Sequence, residues 1–100
     1  QYFSMILRGI VHQIKEIDEH IVSCLDRPLE MLNPVELSVL RLSTYEFMHC
    51  LDVPFRVVID EAISLSKTFG AVEGHRYVNG VLHHLAGKLR SIEVEHAKKQ

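Results

Sequence analysis

Apolar residues recur along this chain at helical spacing in four stretches, and proline or glycine marks each break between them. Phe3, Leu7, Ile10, Ile14, Ile17, Ile21 and Cys24 alternate steps of four and three, the a/d seam of one long helix, which Ile6, Val11 and Val22 widen. Pro28 ends that helix near Leu25, because a residue before proline is pushed away from helical geometry. Asn33, Pro34 and Glu36 then read as N-cap, N1 and N3 of a capping box, so a second helix starts at Pro34. Its apolar residues, Val35 through Leu51, cover more than one face, the pattern of the most buried rod in a bundle. Arg41 and Glu46 interrupt it and are expected at its solvent edge.

A third helix opens at Pro54 and carries Val58, Ala62, Leu65 and Phe69 on one stripe; Lys67 in its last turn and Gly70 after it are C-terminal signals. The fourth opens at Glu73 and Gly74, with an acid at its positive end, and carries Val78, Val81, Leu82, Leu85 and Leu89. Asn79-Gly80 would elsewhere signal a hairpin, but the unbroken helical period overrules it. Gly80 is then expected to let another helix approach closely. The charged tail is expected to fray beyond Ile92, which sets a helical domain over residues 1–92 and a tail over 93–100. The first seam is under way by Phe3, and no Ser, Thr, Asp or Asn precedes Tyr2. The chain is therefore expected to begin inside a helix, and its uncovered seam to favour self-association into a homodimer.

Charge changes this picture by dividing it. The formal charge of the 100 residues is only −2, which argues against a strongly basic nucleic-acid binder. Residues 16–61 nevertheless hold ten carboxylates against Arg27, Arg41 and Arg56, whereas residues 67–90 hold Lys67, Arg76, Lys88 and Arg90 against Glu73 alone. An acidic half and a mildly basic half point to two kinds of partner. Cys24 and Cys50 form no CxxC pair and read as buried thiols of a reducing compartment. No run approaches the length of a membrane span, and the expectation is a soluble, cytoplasmic protein. His20 and Cys24 sit four apart, but two ligands do not make a metal site. No catalytic frame, phosphate loop or cofactor motif occurs, so the expectation is a non-catalytic protein without cofactors.

The turn from Phe69 to Tyr77 carries the chemistry that remains. Two aromatics for base stacking, Arg76 for phosphate, and helix-terminal N–H groups near Gly74 are the parts that single-stranded nucleic acid requires. Against this stands a plainer role for Phe69 and Tyr77 as core residues closing the helix pair, and Glu73 would repel phosphate.

The runs LRLSTYEF (Leu40 to Phe47), DVPFRVVIDEAISLSKTFG (Asp52 to Gly70) and HRYVNGVL (His75 to Leu82) resemble, in order and separation, the NusB family of transcription antitermination factors. The resemblance extends from about Tyr2 to Leu89. It implies an all-α helical bundle of the NusB type, here lacking most of the N-terminal helical subdomain and its arginine-rich leading segment. It further implies binding of the boxA RNA of rRNA operons together with the basic ribosomal protein NusE, within the RNA polymerase antitermination complex. Carried over by position, the RNA contacts are Phe69, Glu73, Arg76 and Tyr77, and the protein-partner contact is Glu36. An alternative from the same resemblance is the NusB-like accessory RNA-binding domain of an rRNA cytosine methyltransferase.

Overall fold

Asn33 decides where the central helix begins. Its side chain accepts from Glu36 N at 2.8 Å while Glu36 Oε1 accepts from Asn33 N at 3.0 Å, so both partners of the expected capping box are satisfied, with Pro34 in the first turn. In the computed structural model, which describes residues 2–70 and 74–99, this helix is α3 (Pro34–His49). Around it lie α1 (Tyr2–His12), α2 (Ile14–Val22), α4 (Phe55–Thr68), α5 (His75–Leu89) and α6 (Ser91–Lys98). A single 3₁₀ turn, Leu29–Met31, links α2 to α3. The described residues contain helices and no strands, the expected all-α bundle.

The rod is central as its pattern predicts: α3 packs against α1, α2, α4 and α5. Leu40 and Phe47 of α3 are fully buried with Ile17, Ile21, Val58, Val78, Leu82 and Leu85 from three other helices. Ser43 and Thr44 are buried among them. Thr44 bonds back to Leu40 O at 2.7 Å, which satisfies its hydroxyl locally and makes its burial tolerable.

Several expectations are corrected. The first long helix is two: Gln13 leaves helical geometry at φ −113°, ψ 18° and separates α1 from α2. A straight helix drifts off a strict seven-residue repeat, and the break resets the buried face. Ile17 and Ile21 become wholly buried, whereas Leu7 is 46% exposed and Val11 and Val22 face solvent. Ile6, not Leu7, is buried in α1. Gly9 holds the approach to α3, where an added Cβ would collide with the Tyr45 ring, and Gln13 Oε1 lies 2.7 Å from His49 Nε2. At Gly80, by contrast, an added Cβ would meet nothing, so the close helix approach expected there is absent.

Arg41 is not a free solvent-edge residue. It forms a bidentate pair with Asp18, Nε to Oδ1 at 2.9 Å and Nη2 to Oδ2 at 2.7 Å, and so ties α3 to α2. The fraying expected beyond Ile92 is also corrected. Residues 91–98 form α6, and Val94 and Ala97 pack on the core while Ile92 is 87% exposed.

Buried Arg90 anchors that last turn. Its guanidinium donates to the carbonyls of Phe47 (2.7 Å), Val53 (3.0 Å), Glu46 (3.1 Å) and Cys50 (3.0 Å), and to Glu93 Oε1 (2.7 Å). The last carbonyls of a helix lack intrahelical partners; Arg90 gives Phe47 O of α3 a donor and adds a second to Glu46 O, which also accepts from Cys50 N. Glu93 completes the arrangement by accepting from Phe55 N at 2.8 Å, at the start of α4.

Candidate nucleic-acid interface

The α4–α5 turn begins where α4 runs out of helical geometry. Phe69 is its C-cap, still donating to Leu65 O at 3.0 Å, and Gly70 follows at φ +100°. That left-handed conformation suits glycine at the position after a helix, so the chain turns sharply and leaves the Phe69 ring outside. Phe69 is 64% exposed; the reading of it as a core residue is therefore excluded. Phe69 lines an open apolar groove between α3 and α4, together with Pro34, Val35, Ser38, Leu42 and Leu65. Glu73 lies outside the described residues.

The α5 side begins at Gly74, its N-cap, whose carbonyl accepts from Val78 N at 3.0 Å. Glycine offers no side chain to cap the helix, so the first amides of α5 gain no partner from their own N-cap. A Cβ at Gly74 would collide with the Glu36 carboxylate. Glu36 is thereby brought beside the same turn, although in sequence it belongs with the acidic half. Arg76 is exposed in the first turn of α5.

Tyr77 is half-buried, packed on the core and held in place. Its hydroxyl donates to Asp26 Oδ1 at 2.9 Å and accepts weakly from Asp26 N at 3.4 Å. Arg27 lies over its ring at 3.9 Å and donates to Asp26 Oδ1 at 3.1 Å. Asp26 is held below the usual carboxylate range, first by the Tyr77 hydrogen bond and then by Arg27. Burial, followed by the Asp26 carboxylate, pushes the Tyr77 hydroxyl up, so it stays a neutral donor. One face of Tyr77 is therefore covered by a guanidinium plane, which itself stacks on bases and pairs with phosphate.

The structure brings Phe69, Arg76, Tyr77 and Glu36 to one end of the bundle, and adds Asp26 and Arg27 to them. Sequence reading missed this second pair. Arg27 lies far from Tyr77 in the chain, on a segment without periodicity, and its only signal is a cation among ten acids.

The model of the NusB family matches residues 1–87. This chain belongs to the NusB family. It is 57% identical over 98 residues to the transcription antitermination protein NusB of Pseudomonas entomophila, an alignment covering 98% of this chain and 59% of that protein. The NusB protein of Legionella pneumophila is 46% identical over 94 residues, covering 94% and 64%; that of Thiobacillus denitrificans is 44% identical over 99, covering 99% and 68%. The chain thus spans about three-fifths of the length of the first NusB relatives it matches. Every residue of the turn, together with Glu36 and the Asp26–Arg27 pair, lies inside the matched span.

Proposed function

We propose that this chain acts in a non-catalytic cytoplasmic transcription antitermination factor, and that its α4–α5 turn contacts boxA-type single-stranded RNA of rRNA operons. The observation that carries the reading is Phe69: a large aromatic ring, mostly exposed, followed by a left-handed glycine in the turn that leads to the N-terminus of α5. A ring that the fold does not bury has a free face for a base. Arg76 and the Arg27 plane supply the phosphate and stacking partners, and Glu73 stays a candidate contact from its place in the sequence. Membership of a family whose named relatives are antitermination proteins supports the same reading.

NusE is the second partner in this proposal. The apolar groove beside Phe69 is continuous with Pro34 and Val35 and flanked in sequence by Glu36, an apolar seat with an acidic edge for a basic protein. RNA and protein would then meet next to one another at the turn.

The direct test is affinity for a boxA-type RNA, in the presence of NusE, by fluorescence anisotropy. Phe69→Ala is expected to weaken binding by roughly 1–3 kcal/mol and Phe69→Tyr to leave it close to the parent, because the stacking face survives. Equal affinity of Phe69→Ala and parent would remove the ring from the interface.

A further inference from the structure

Helix α5 carries no carboxylate in its 15 residues, but does carry Arg76, His83, His84 and Lys88 on its exposed side. Tyr77, Gly80, His84 and Gly87 follow steps of three and four, so they form one stripe along the helix, with Lys88 beside its far end. Both ends of the stripe are joined to the segment after α2. Arg27 covers Tyr77 at one end, and Lys88 Nζ donates to Ser23 Oγ at 3.0 Å at the other. Asp26 is a carboxylate of this neighbourhood, and the Tyr77 hydroxyl and Arg27 engage it; Glu36 stands beyond it at Gly74.

The two glycines sharpen the picture. Glycine inside a helix lowers its stability, and a close packing partner is the usual compensation. Neither Gly80 nor Gly87 has one: both are exposed, and an added Cβ at either would meet nothing. The stripe, with a cation at each end, Arg27 and Lys88, is therefore also smooth, open to the backbone of something outside the chain.

We propose that single-stranded RNA leaving the α4–α5 turn continues along α5, its phosphates following Arg27, His84 and Lys88 while its backbone passes over Gly80 and Gly87. This rests on the RNA reading of the turn and extends it from a point contact to a track. The distance from Tyr77 to Lys88 along the helix is about 16 Å, which accommodates about five nucleotides at the roughly 3.4 Å spacing of a stacked strand. A helix that carries Arg76 and Lys88 and no carboxylate of its own favours the phosphate backbone over a protein helix, for which the exposed side of α5 supplies no apolar anchor.

The test compares two labelled, unstructured RNAs, of about six and about twelve nucleotides, within the range of single-strand site sizes, at low salt. The parent should bind the longer RNA more tightly. Gly80→Glu, which introduces a carboxylate where nothing in the chain obstructs it, should reduce the affinity for the longer RNA to that for the shorter and leave the shorter unchanged. Lys88→Gln should lower the salt slope for the longer RNA by about 0.7, the value of one lost phosphate contact on a single strand. If Gly80→Glu disturbs helical content by circular dichroism, Lys88→Gln decides. Phe69→Ala separates the two ideas. Should it weaken both RNAs while Gly80→Glu and Lys88→Gln change neither, the track is wrong and the turn stands. If Phe69→Ala changes neither RNA, or no RNA binds the parent, the RNA reading itself falls, and a partner other than RNA becomes the account of the stripe.

Discussion

Arg90 concentrates more structural consequence than any other single side chain. All five guanidinium contacts go to buried or half-buried acceptors, four of them backbone carbonyls. Arg90→Met would take the guanidinium from the Phe47 and Val53 carbonyls, leaving Glu46 O and Cys50 O only their backbone donors Cys50 N and Val53 N, together with a Glu93 carboxylate that has lost its cation. Breaking such a network is expected to destabilise the fold by about 3 kcal/mol or more, measured as a lowered urea midpoint. In the sequence Arg90 is one cation of a basic half, and no local pattern distinguishes it, because its partners lie some forty residues upstream. Glu46 makes a converse prediction. Burial first, and then the Glu61 carboxylate, pushes its pKa above the ordinary glutamate range, partly offset by Arg90. A carboxyl that binds its proton more tightly when folded destabilises the protein once pH rises through the folded value, and has no effect below the unfolded one. Glu46→Gln should therefore raise the melting temperature at neutral pH and lose that advantage in acid; equal gains at pH 3 and pH 7 would contradict it. Tyr77 marks the limit of reading single residues. Its aromatic type was legible, but the Arg27 guanidinium over it was not.

Elements were legible where the signal is local. The Asn33–Glu36 capping box, Gly70 at the end of α4 and the helical period through Asn79-Gly80 each depend on neighbours within a turn or two, and each is present as read. The break at Gln13 was not legible, because no proline or glycine marks it and the apolar spacing runs on through it. It follows instead from docking against α3 through Gly9 and Tyr45 and through Gln13 and His49. The same limit explains α6, whose charged sequence hides two apolar residues that reach the core. A pair of glycine substitutions tests this division. Gly80→Ala meets nothing and gains helix propensity, so it should stabilise by up to about 1 kcal/mol. Gly9→Ala forces its methyl into the Tyr45 ring and should cost roughly 1–3 kcal/mol. Denaturant unfolding of both settles the matter; the opposite order would mean that Gly80, not Gly9, makes the tight helix contact.

At the scale of the molecule, the bundle is built around α3, and the end proposed to bind RNA is set by the place where α4 turns into α5. The charge division read from the sequence survives folding in altered form. Arg41 and Asp18 neutralise one another, Arg90 is internal, and Arg27 crosses over to the basic end by lying on Tyr77. The proposed interface is thus assembled from the α4–α5 turn, the loop after α2 and the start of α3, three segments that only tertiary structure joins. The claim that this end contacts RNA is tested most directly by an NMR titration of the isotope-labelled chain with a boxA-type RNA. The account predicts that the largest amide shifts fall at Phe69, Gly70, Gly74, Arg76, Tyr77 and Arg27, while α6 and the Phe55–Glu93 junction stay still. Shifts centred on α6, or on the exposed face of α1, with the α4–α5 turn unmoved, would contradict it.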